Sequence, residues 1–290
     1  MKSTSAIWST LVGIALSFTF VTTSHAVASR TWVASNGDDT NTASNCGRTT
    51  PCKTFASAYS VTSAAGEIVA LDTAGYGPIT INSALSIVAL QSAIITVQSN
   101  TVGVTINAGA GNMVTLRNIA ISAAAGATNT IGIKLNTGKV FLQNSSLKYL
   151  TDGFIADSLN NSNSVIRGYI VDTDIIANTR AVTTKGTGTD LNTGNSPHPA
   201  GNVSVLLNKG NVIGNGTAFR MENPGNTSGN HWDTMWLMGY SNSGATTNVI
   251  GNTTVFVGTP TGAGQDCQFN CNAIRIYQPI TSTQGGDPGP

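Results

Sequence analysis

The sequence has 290 residues, of which only 9% are charged, and its formal net charge is +1. Without Lys2, which belongs to a predicted leader, 13 basic residues (14 − 1) face 13 acidic ones. This balance argues against nucleic acid or an anionic membrane as a partner, because both require a basic excess. Hydrophobic residues make up 40% of the chain, too many for a disordered protein.

The N-terminal 26 residues have the pattern of a secretory signal peptide. Lys2 precedes an apolar stretch from Ile7 to Val21, and Ser24-His25-Ala26 is typical of a cleavage site. We therefore expect a secreted protein, extracellular or periplasmic. No later stretch is apolar and long enough to span a bilayer, so we expect no transmembrane segment after cleavage.

Residues 27–66 are predicted to form an N-terminal strand, a loop and a capping helix. The helix covers Thr54–Thr62, is ended by Gly66, and is expected to close the open end of the following domain. The loop contains Asn36-Gly37-Asp38-Asp39, which suits either a calcium site or a solvated turn.

Four cysteines lie in two close pairs, Cys46 with Cys52 and Cys267 with Cys271. An even number in an exported chain favours disulfides. Three connectivities exist, and we predict the local one. A zinc site is the alternative, but the cysteines lack histidines at zinc spacing, so we predict no metal site there.

Residues 67–280 carry a repeated motif, and residues 281–290 form a predicted flexible tail. Val114–Asn118 is followed by a second copy at Val140–Asn144, a third at Tyr169–Thr173 and a looser one at Val203–Asn208. A short strand that returns every few tens of residues is typical of a solenoid. The predicted inward residues are Val114, Leu116, Val140, Leu142, Val171 and Val205, and the predicted corner residues are Asn118, Asn144 and Asn208.

Two further patterns support parallel coils over a β-sandwich, which would need hairpin turns every 8–12 residues. Asn211-Val212-Ile213-Gly214-Asn215 recurs unchanged 37 residues later (248 − 211) at Asn248–Asn252. A small residue followed by an apolar one also returns along the chain, at Gly103-Val104, Gly132-Ile133, Gly153-Phe154, Ala181-Val182, Ala218-Phe219, Val255-Phe256 and Ala273-Ile274.

Three segments resemble the entry region of right-handed parallel β-helix proteins of the pectate-lyase-like superfamily, most closely secreted bacterial members without assigned function. The segments are Pro51–Phe55, Gly66–Val69 and Gly75–Ile81. The resemblance implies an all-β fold, a single-stranded right-handed parallel β-helix with an N-terminal capping helix. It is specific for fold and not for activity.

Enzymes of that superfamily include polysaccharide lyases, which use acidic calcium ligands and a nearby base, and hydrolases with a Gly-His-Gly element. The sequence contains no Gly-His-Gly. For a lyase, the candidates are Asp172 and Asp174, which are two residues apart and so should leave the same face of one strand, and Arg180. Calcium would be needed only in that case, and otherwise no cofactor is predicted.

The outward positions of the repeat suggest a carbohydrate surface. If the inward register is correct, Phe141 and Ile170 lie side by side, flanked by Arg117, Gln143 and Asp172. An apolar strip beside polar groups suits the CH faces and hydroxyl edges of a sugar chain. The alternative is that the loop 186–201 covers this strip.

The segment Trp232–Tyr240 is predicted to be an inserted strand, with Trp236, Met238 and Tyr240 pointing into the coil. A sugar-stacking platform is the alternative.

The preferred hypothesis for the function is a secreted, non-catalytic surface or matrix protein that contacts a polysaccharide or cell-surface glycan. The other two functional hypotheses are a polysaccharide lyase and a purely structural or adhesin-like spacer.

Overall fold

A computed structural model describes residues 27–158, 166–185, 203–222, 233–238, 247–258 and 273–276. The predicted signal peptide, the second cysteine pair, the loop 186–201 and the tail lie outside these ranges.

Within the described residues, parallel strands form two sheets, one of eleven strands and one of seven. The strands are β1 (Ala28–Val33), β2 (Thr62–Ala70), β3 (Ile79–Ile81), β4 (Leu85–Val97), β5 (Val102–Asn107), β6 (Met113–Ala123), β7 (Ile131–Thr137), β8 (Lys139–Gln143), β9 (Ser146–Lys148), β10 (Asp152–Asp157), β11 (Ile166–Ile176), β12 (Arg180–Lys185), β13 (Val203–Ile213), β14 (Thr217–Glu222), β15 (Asp233–Met238), β16 (Thr247–Ile250), β17 (Thr254–Gly258) and β18 (Ala273–Ile276).

Each coil has three faces. The first half of β6 pairs with β8 and forms face 1, while its second half pairs with β9 and forms face 2. The seven-stranded sheet, from β3 to β17, is face 3. The chain turns from face 1 to face 2 at Asn118, whose φ of 61° is left-handed. The protein is a parallel β-helix, and the usual handedness of parallel crossovers makes it right-handed.

The core consists of aliphatic side chains that alternate along each strand and stack between coils. Leu116 pairs with Leu142, and both are buried. The predicted burial of Val114, Leu116, Val140, Leu142 and Val205 is confirmed. The core is therefore a set of aliphatic rows parallel to the helix axis.

The third copy of the repeat is shifted by one residue from its predicted register. Ile170, not Val171, pairs with Leu142 and is buried with 1% exposure, whereas Val171 is half-buried and pairs with Gln143. The prediction that Ile170 faces outward and Val171 inward is wrong, because a one-residue slip reverses every facing on the strand.

The corner residues explain the shift. Asn118 and Asn144 lie at the corner as predicted, with Asn144 at φ 49°, but the next two coils turn at Asp172 (φ 49°) and Lys209 (φ 62°). Asn208 is not a corner residue and pairs with Val171 on face 1. Asp adopts the left-handed conformation at a tolerable cost, so this corner does not require Asn.

An asparagine ladder does exist, but at the corner between faces 2 and 3. Asn178, Asn215 and Asn252 are at most 2% exposed. The Asn178 backbone N–H donates to Asn215 Oδ1 at 2.9 Å, and the Asn215 N–H donates to Asn252 Oδ1 at 2.9 Å. The ladder accounts for the Asn at the end of each copy of the 37-residue repeat.

The small-then-apolar pattern belongs to face 3. Val104, Ile133 and Phe154 stack in register and are buried. A Cβ added at Gly132 would meet the Gly153 carbonyl oxygen at 2.5 Å, so the coils approach closely at this row. Ala273-Ile274 is an exception, because β18 pairs with β15 on face 1.

The N-terminal end is closed by a helix and a disulfide loop. Helix α1 spans Phe55–Ser60 and is capped by the Thr54 hydroxyl, and β2 already begins at Thr62 rather than Glu67. The ring centroids of the buried Phe55 and Tyr76 are 5.0 Å apart. The predicted capping helix is confirmed, although it is shorter than expected.

The Cys46–Cys52 disulfide is present, as predicted. Its loop lies against β1, since the Trp32 N–H donates to the Cys46 carbonyl at 2.8 Å and Cys52 N–H donates to the Trp32 carbonyl at 3.0 Å. The loop therefore covers part of the outer edge of the eleven-stranded sheet.

The predicted inserted strand is present as β15. Its register places Met235 and Leu237 in the rows of the inward residues Val205 and Leu207. Trp236 is in the row of Leu206, which is outward, so the prediction that Trp236 and Met238 share the inward register is wrong. Tyr240 lies outside the described residues.

Candidate glycan-binding surface

The outer surface of face 1 carries a central row of mainly apolar side chains from successive coils. Thr115 pairs with Phe141, Phe141 with Tyr169, and Tyr169 with Leu206. All four are half-buried, with part of each side chain open to solvent. Neighbouring strands lie about 4.8 Å apart, so the central row runs along the helix axis. Trp236 occupies its next register position.

Two parallel rows flank the central row. The upstream row, two residues earlier on each strand, contains Met113, Lys139, Arg167 and Ser204. The downstream row, two residues later, contains Arg117, Gln143, Val171 and Asn208. The aromatic pair, Phe141 and Tyr169, thus has polar and cationic side chains on both sides.

The charges of this surface are one-sided. Within the described part of the chain, no ion pair involves Arg117, Lys139 or Arg167. The nearby carboxylate at the corner, Asp172, is paired with Lys209 at 2.9 Å. The rows around Phe141 and Tyr169 therefore present net positive charge to a ligand.

The structure changes the membership of the predicted binding set. Arg117, Phe141 and Gln143 do lie together on the outer surface of face 1. Ile170 is in the core. The position beside Phe141, which was predicted for Ile170, is occupied by Tyr169. The signal that could have found Tyr169 is Gly168-Tyr169-Ile170, which matches Val140-Phe141-Leu142 once Asp172 is accepted as a corner residue.

The three catalytic candidates lie on different parts of the coil. Asp172 is at the corner between faces 1 and 2, and its left-handed φ breaks the alternation that would have aligned it with Asp174. The Asp174 carboxylate accepts from Asn211 Nδ2 at 2.7 Å on face 2. Arg180 forms an ion pair with Asp152 on face 3. The prediction that Asp172 and Asp174 share a face is wrong.

The outer surface of face 3 is less accessible than that of face 1. Ile155 and Thr183 occupy outward positions in adjacent strands, yet they are only 4% and 1% exposed. Lys134 Nζ lies 3.5 Å from Asp157 Oδ2 in the same region. Face 1 is consequently the more open surface for an extended ligand.

The acidic loop near the N-terminus has a structural role. Asp39 accepts from the backbone N–H groups of Lys53 and Thr54, both at 2.9 Å, and Asp38 caps a 3-10 helix over Asp39–Ser44. Burial alone would raise the pKa of Asp39, but the hydrogen bonds from Thr54 and Lys53 outweigh it and lower that pKa. In the described ranges, no three His, Cys, Asp or Glu residues are placed to hold a metal ion.

None of the helices among the described residues has the length and apolar character needed to cross a membrane.

No protein-family model and no curated protein matches this sequence. Among solved structures, the chain is similar to a crystal structure of pectate lyase Pel9A. The identity is 14%, the match covers 80% of this chain and 78% of the other, and the TM-score is 0.40. This similarity is too distant to transfer an activity, and the assignment as a parallel β-helix follows from the strand pairing described above.

Proposed function

We propose that the protein is a secreted, non-catalytic β-helix protein that binds an acidic glycan along the outer surface of face 1. The observation that carries the proposal is the in-register pair Phe141 and Tyr169, half-buried on adjacent coils with cations on both sides.

The apolar part of the surface suits a sugar chain. Aromatic rings offer a flat apolar surface to the CH face of a sugar, and Tyr169 adds a hydroxyl that can hydrogen-bond. The central row continues through Leu206, so a chain lying along the helix axis meets apolar side chains over several coils. Gln143 and Asn208 in the downstream row supply amide donors and acceptors for hydroxyl groups.

The charges favour an acidic glycan over a neutral one. Lys139 and Arg167 are neighbours in the upstream row, and Arg117 is on the opposite side of Phe141. Each is a hydrogen-bond donor to carboxylate or sulfate groups, and such charge-assisted bonds are stronger than neutral ones. The near-zero net charge of the whole chain does not conflict with this, because the positive charge is local.

A non-catalytic role is supported by the positions of the acidic residues. Asp172 and Asp152 are each engaged by a cation, and Asp174 by an amide. The three rows described above contain no carboxylate, and the carboxylate at the adjacent corner, Asp172, is paired with Lys209.

The test is binding of the secreted protein to polygalacturonate and to dextran as its neutral counterpart. We expect polygalacturonate to bind more tightly, with an affinity that falls as salt rises. Phe141→Ala and Tyr169→Ala should each weaken binding about tenfold, roughly 1.4 kcal/mol. Tyr149→Ala is the matched control, because Tyr149 is an exposed aromatic residue at a corner, away from the outer surface of face 1.

Thermal unfolding of each variant separates loss of a site from loss of the fold. Unchanged binding in a folded Phe141→Ala/Tyr169→Ala double variant would overturn the proposed surface. Formation of unsaturated products from polygalacturonate with added calcium would instead make the protein a lyase.

A further inference from the structure

A groove crosses the outer surface of face 1 at its N-terminal end, on β1, β2 and β4, and β6 separates it from the aromatic pair. Its volume is about 360 Å³. The lining residues are Arg30, Trp32, Arg48, Glu67, Val69, Leu71, Val88 and Leu90. An adjoining cavity of about 530 Å³ shares Arg30, Trp32 and Glu67 and adds the hydroxyls of Ser29 and Ser86. The groove thus has an apolar end and a polar end.

One wall exists because the corner between faces 1 and 2 is widened in the first coils. Val88 pairs with Arg117 and Ala93 with Ile119, so four residues, 89–92, occupy the corner that Asn118 alone fills in the next coil. This insertion carries Leu90 outward, where it is 62% exposed. Asn118 Nδ2 donates to the Gln91 carbonyl at 2.7 Å and holds the insertion in place.

The preceding coil has the same widening. Ala70 pairs with Ala89 and Gly75 bridges to Ile94, so residues 71–74 lie opposite the insertion of the next coil. Leu71 belongs to this segment and lines the groove beside Leu90. The two insertions are stacked, and Leu71 and Leu90 together form this wall of the groove.

The opposite wall is held by the disulfide loop. Trp32 is fixed between the Cys46 carbonyl and the Cys52 N–H by backbone hydrogen bonds of 2.8 and 3.0 Å. Arg48 projects from the Cys46–Cys52 loop that the disulfide closes. The site is therefore pre-formed on both sides, which lowers the entropic cost of binding.

The rim of the groove is positively charged. Arg30 Nε lies 2.6 Å from Glu67 Oε2, so these two charges offset each other. Arg48 is exposed and makes no ion pair within the described ranges. Two arginines against one glutamate leave a net charge of +1 beside an apolar floor.

We propose that this groove binds an anionic amphiphile, a molecule that joins one ring or a short alkyl chain to a carboxylate. The apolar body lies on Trp32 between Leu71 and Leu90, and the carboxylate pairs with Arg48. The volume is within the usual range for small-molecule sites, about 300–1,000 Å³. The proposal is independent of glycan binding at Phe141 and Tyr169, because it depends on different residues and on other strands.

The test is titration of the secreted protein with octanoate, followed by calorimetry and tryptophan fluorescence, with octyl glucoside as the neutral comparison. We expect octanoate to bind and octyl glucoside to bind at least about tenfold more weakly, because a hydrogen bond to a charged group contributes enough for that difference. Trp32→Phe should abolish the fluorescence change and retain most of the affinity.

Two variants test the two walls of the groove. Arg48→Gln should weaken octanoate about tenfold without affecting octyl glucoside, and Leu90→Ser should weaken both ligands about fivefold. Lys148→Gln and Tyr149→Ser are matched controls outside the groove, a cation on face 2 and an exposed aromatic residue, and should leave octanoate binding unchanged.

Equal affinity for the two ligands, or an unchanged octanoate affinity in Arg48→Gln, would overturn the anion preference. Failure of octanoate to bind below its micelle concentration would overturn the site itself. Neither result would affect polygalacturonate binding, so the two proposals fail separately.

Discussion

The side-chain oxygen of Asn215 accepts two hydrogen bonds from Asn178, one from the backbone N–H at 2.9 Å and one from Nδ2 at 3.1 Å. Both residues are buried, and Asn215 Nδ2 donates in turn to Asn252 Oδ1 at 2.9 Å. One side chain thus satisfies polar groups of the coil before it and of the coil after it.

Asn215→Ala is expected to lower the free energy of unfolding by about 3 kcal/mol. The substitution leaves the buried backbone N–H of Asn178 without an acceptor and removes one of the two acceptors of Asn178 Nδ2, the other being the Leu147 carbonyl. A buried polar group without a partner costs about 1–3 kcal/mol. Urea denaturation measures the loss. Asn136→Ala is the control, because its amide bonds to Asn107 at 2.8 Å in an exposed position, and less than about 1 kcal/mol is expected there. Equal losses in the two variants would contradict a special role of the buried ladder.

Leu142→Ala is expected to cost about 2–5 kcal/mol, because it opens a cavity in a close-packed aliphatic row. Leu142 is fully buried between Leu116 and Ile170, its partners in the adjacent coils. Its sequence neighbour Phe141 faces outward, so Phe141→Ala should cost much less. Denaturant unfolding of the two variants compares the two sides of one strand, and a reversed order would mean that the register is wrong.

Removal of the Cys46–Cys52 disulfide by a double Cys→Ser substitution is expected to cost about 2 kcal/mol, from the entropy of a loop of six residues. The loop also covers part of the β1 edge, so the variant should associate more readily through that edge. Light scattering at rising protein concentration reports this association. A variant that is less stable but stays monomeric would limit the disulfide to a stabilising role.

Acid is expected to weaken the N-terminal region through Asp72. Its pKa is lowered by the hydrogen bond from the Ser35 hydroxyl and then by that from the Tyr76 hydroxyl. A carboxylate with a lowered pKa stabilises the fold above its unfolded value, about 3.9, and loses that contribution as pH falls through the folded value.

The corresponding experiment compares wild type with Asp72→Asn by urea unfolding between pH 7 and pH 2.5. The wild-type advantage should be largest near neutral pH and should shrink below about pH 4, where the carboxylate becomes protonated. An advantage that stays constant across this range would show that the carboxylate charge contributes nothing.

The parallel β-helix could be predicted because its signals are local and repeated. Aliphatic residues alternate around Leu116 and Leu142, and the same spacing returns in each coil, which few other architectures produce. The helix before β2 was predictable from Thr54 and the apolar positions after it, although its end was placed too late.

The register of the third coil could not be predicted in the same way. The sequence marks the first two corners with Asn118 and Asn144, but Asp172 and Lys209 occupy the next two. A left-handed corner restricts the backbone φ but accepts several side chains, here Asn, Asp and Lys. Residue type alone therefore does not locate the corner. Because the corner was placed one residue too late, Ile170 was predicted to face outward, and Tyr169, which belongs to the candidate site, was not identified.

The groove at Trp32 was not predicted either, because it depends on two corner insertions that become neighbours only when the coils stack.

The asparagine ladder also has a direction. The backbone N–H of Leu150 donates to Asn178 Oδ1, that of Asn178 to Asn215 Oδ1 and that of Asn215 to Asn252 Oδ1, so each of these three acceptors comes from the coil that follows in the chain. During synthesis from the N-terminus, the backbone N–H at such a corner therefore stays unpaired until the next coil has emerged. The hydrogen bonding of one coil at this corner is thus completed by a side chain of the next coil.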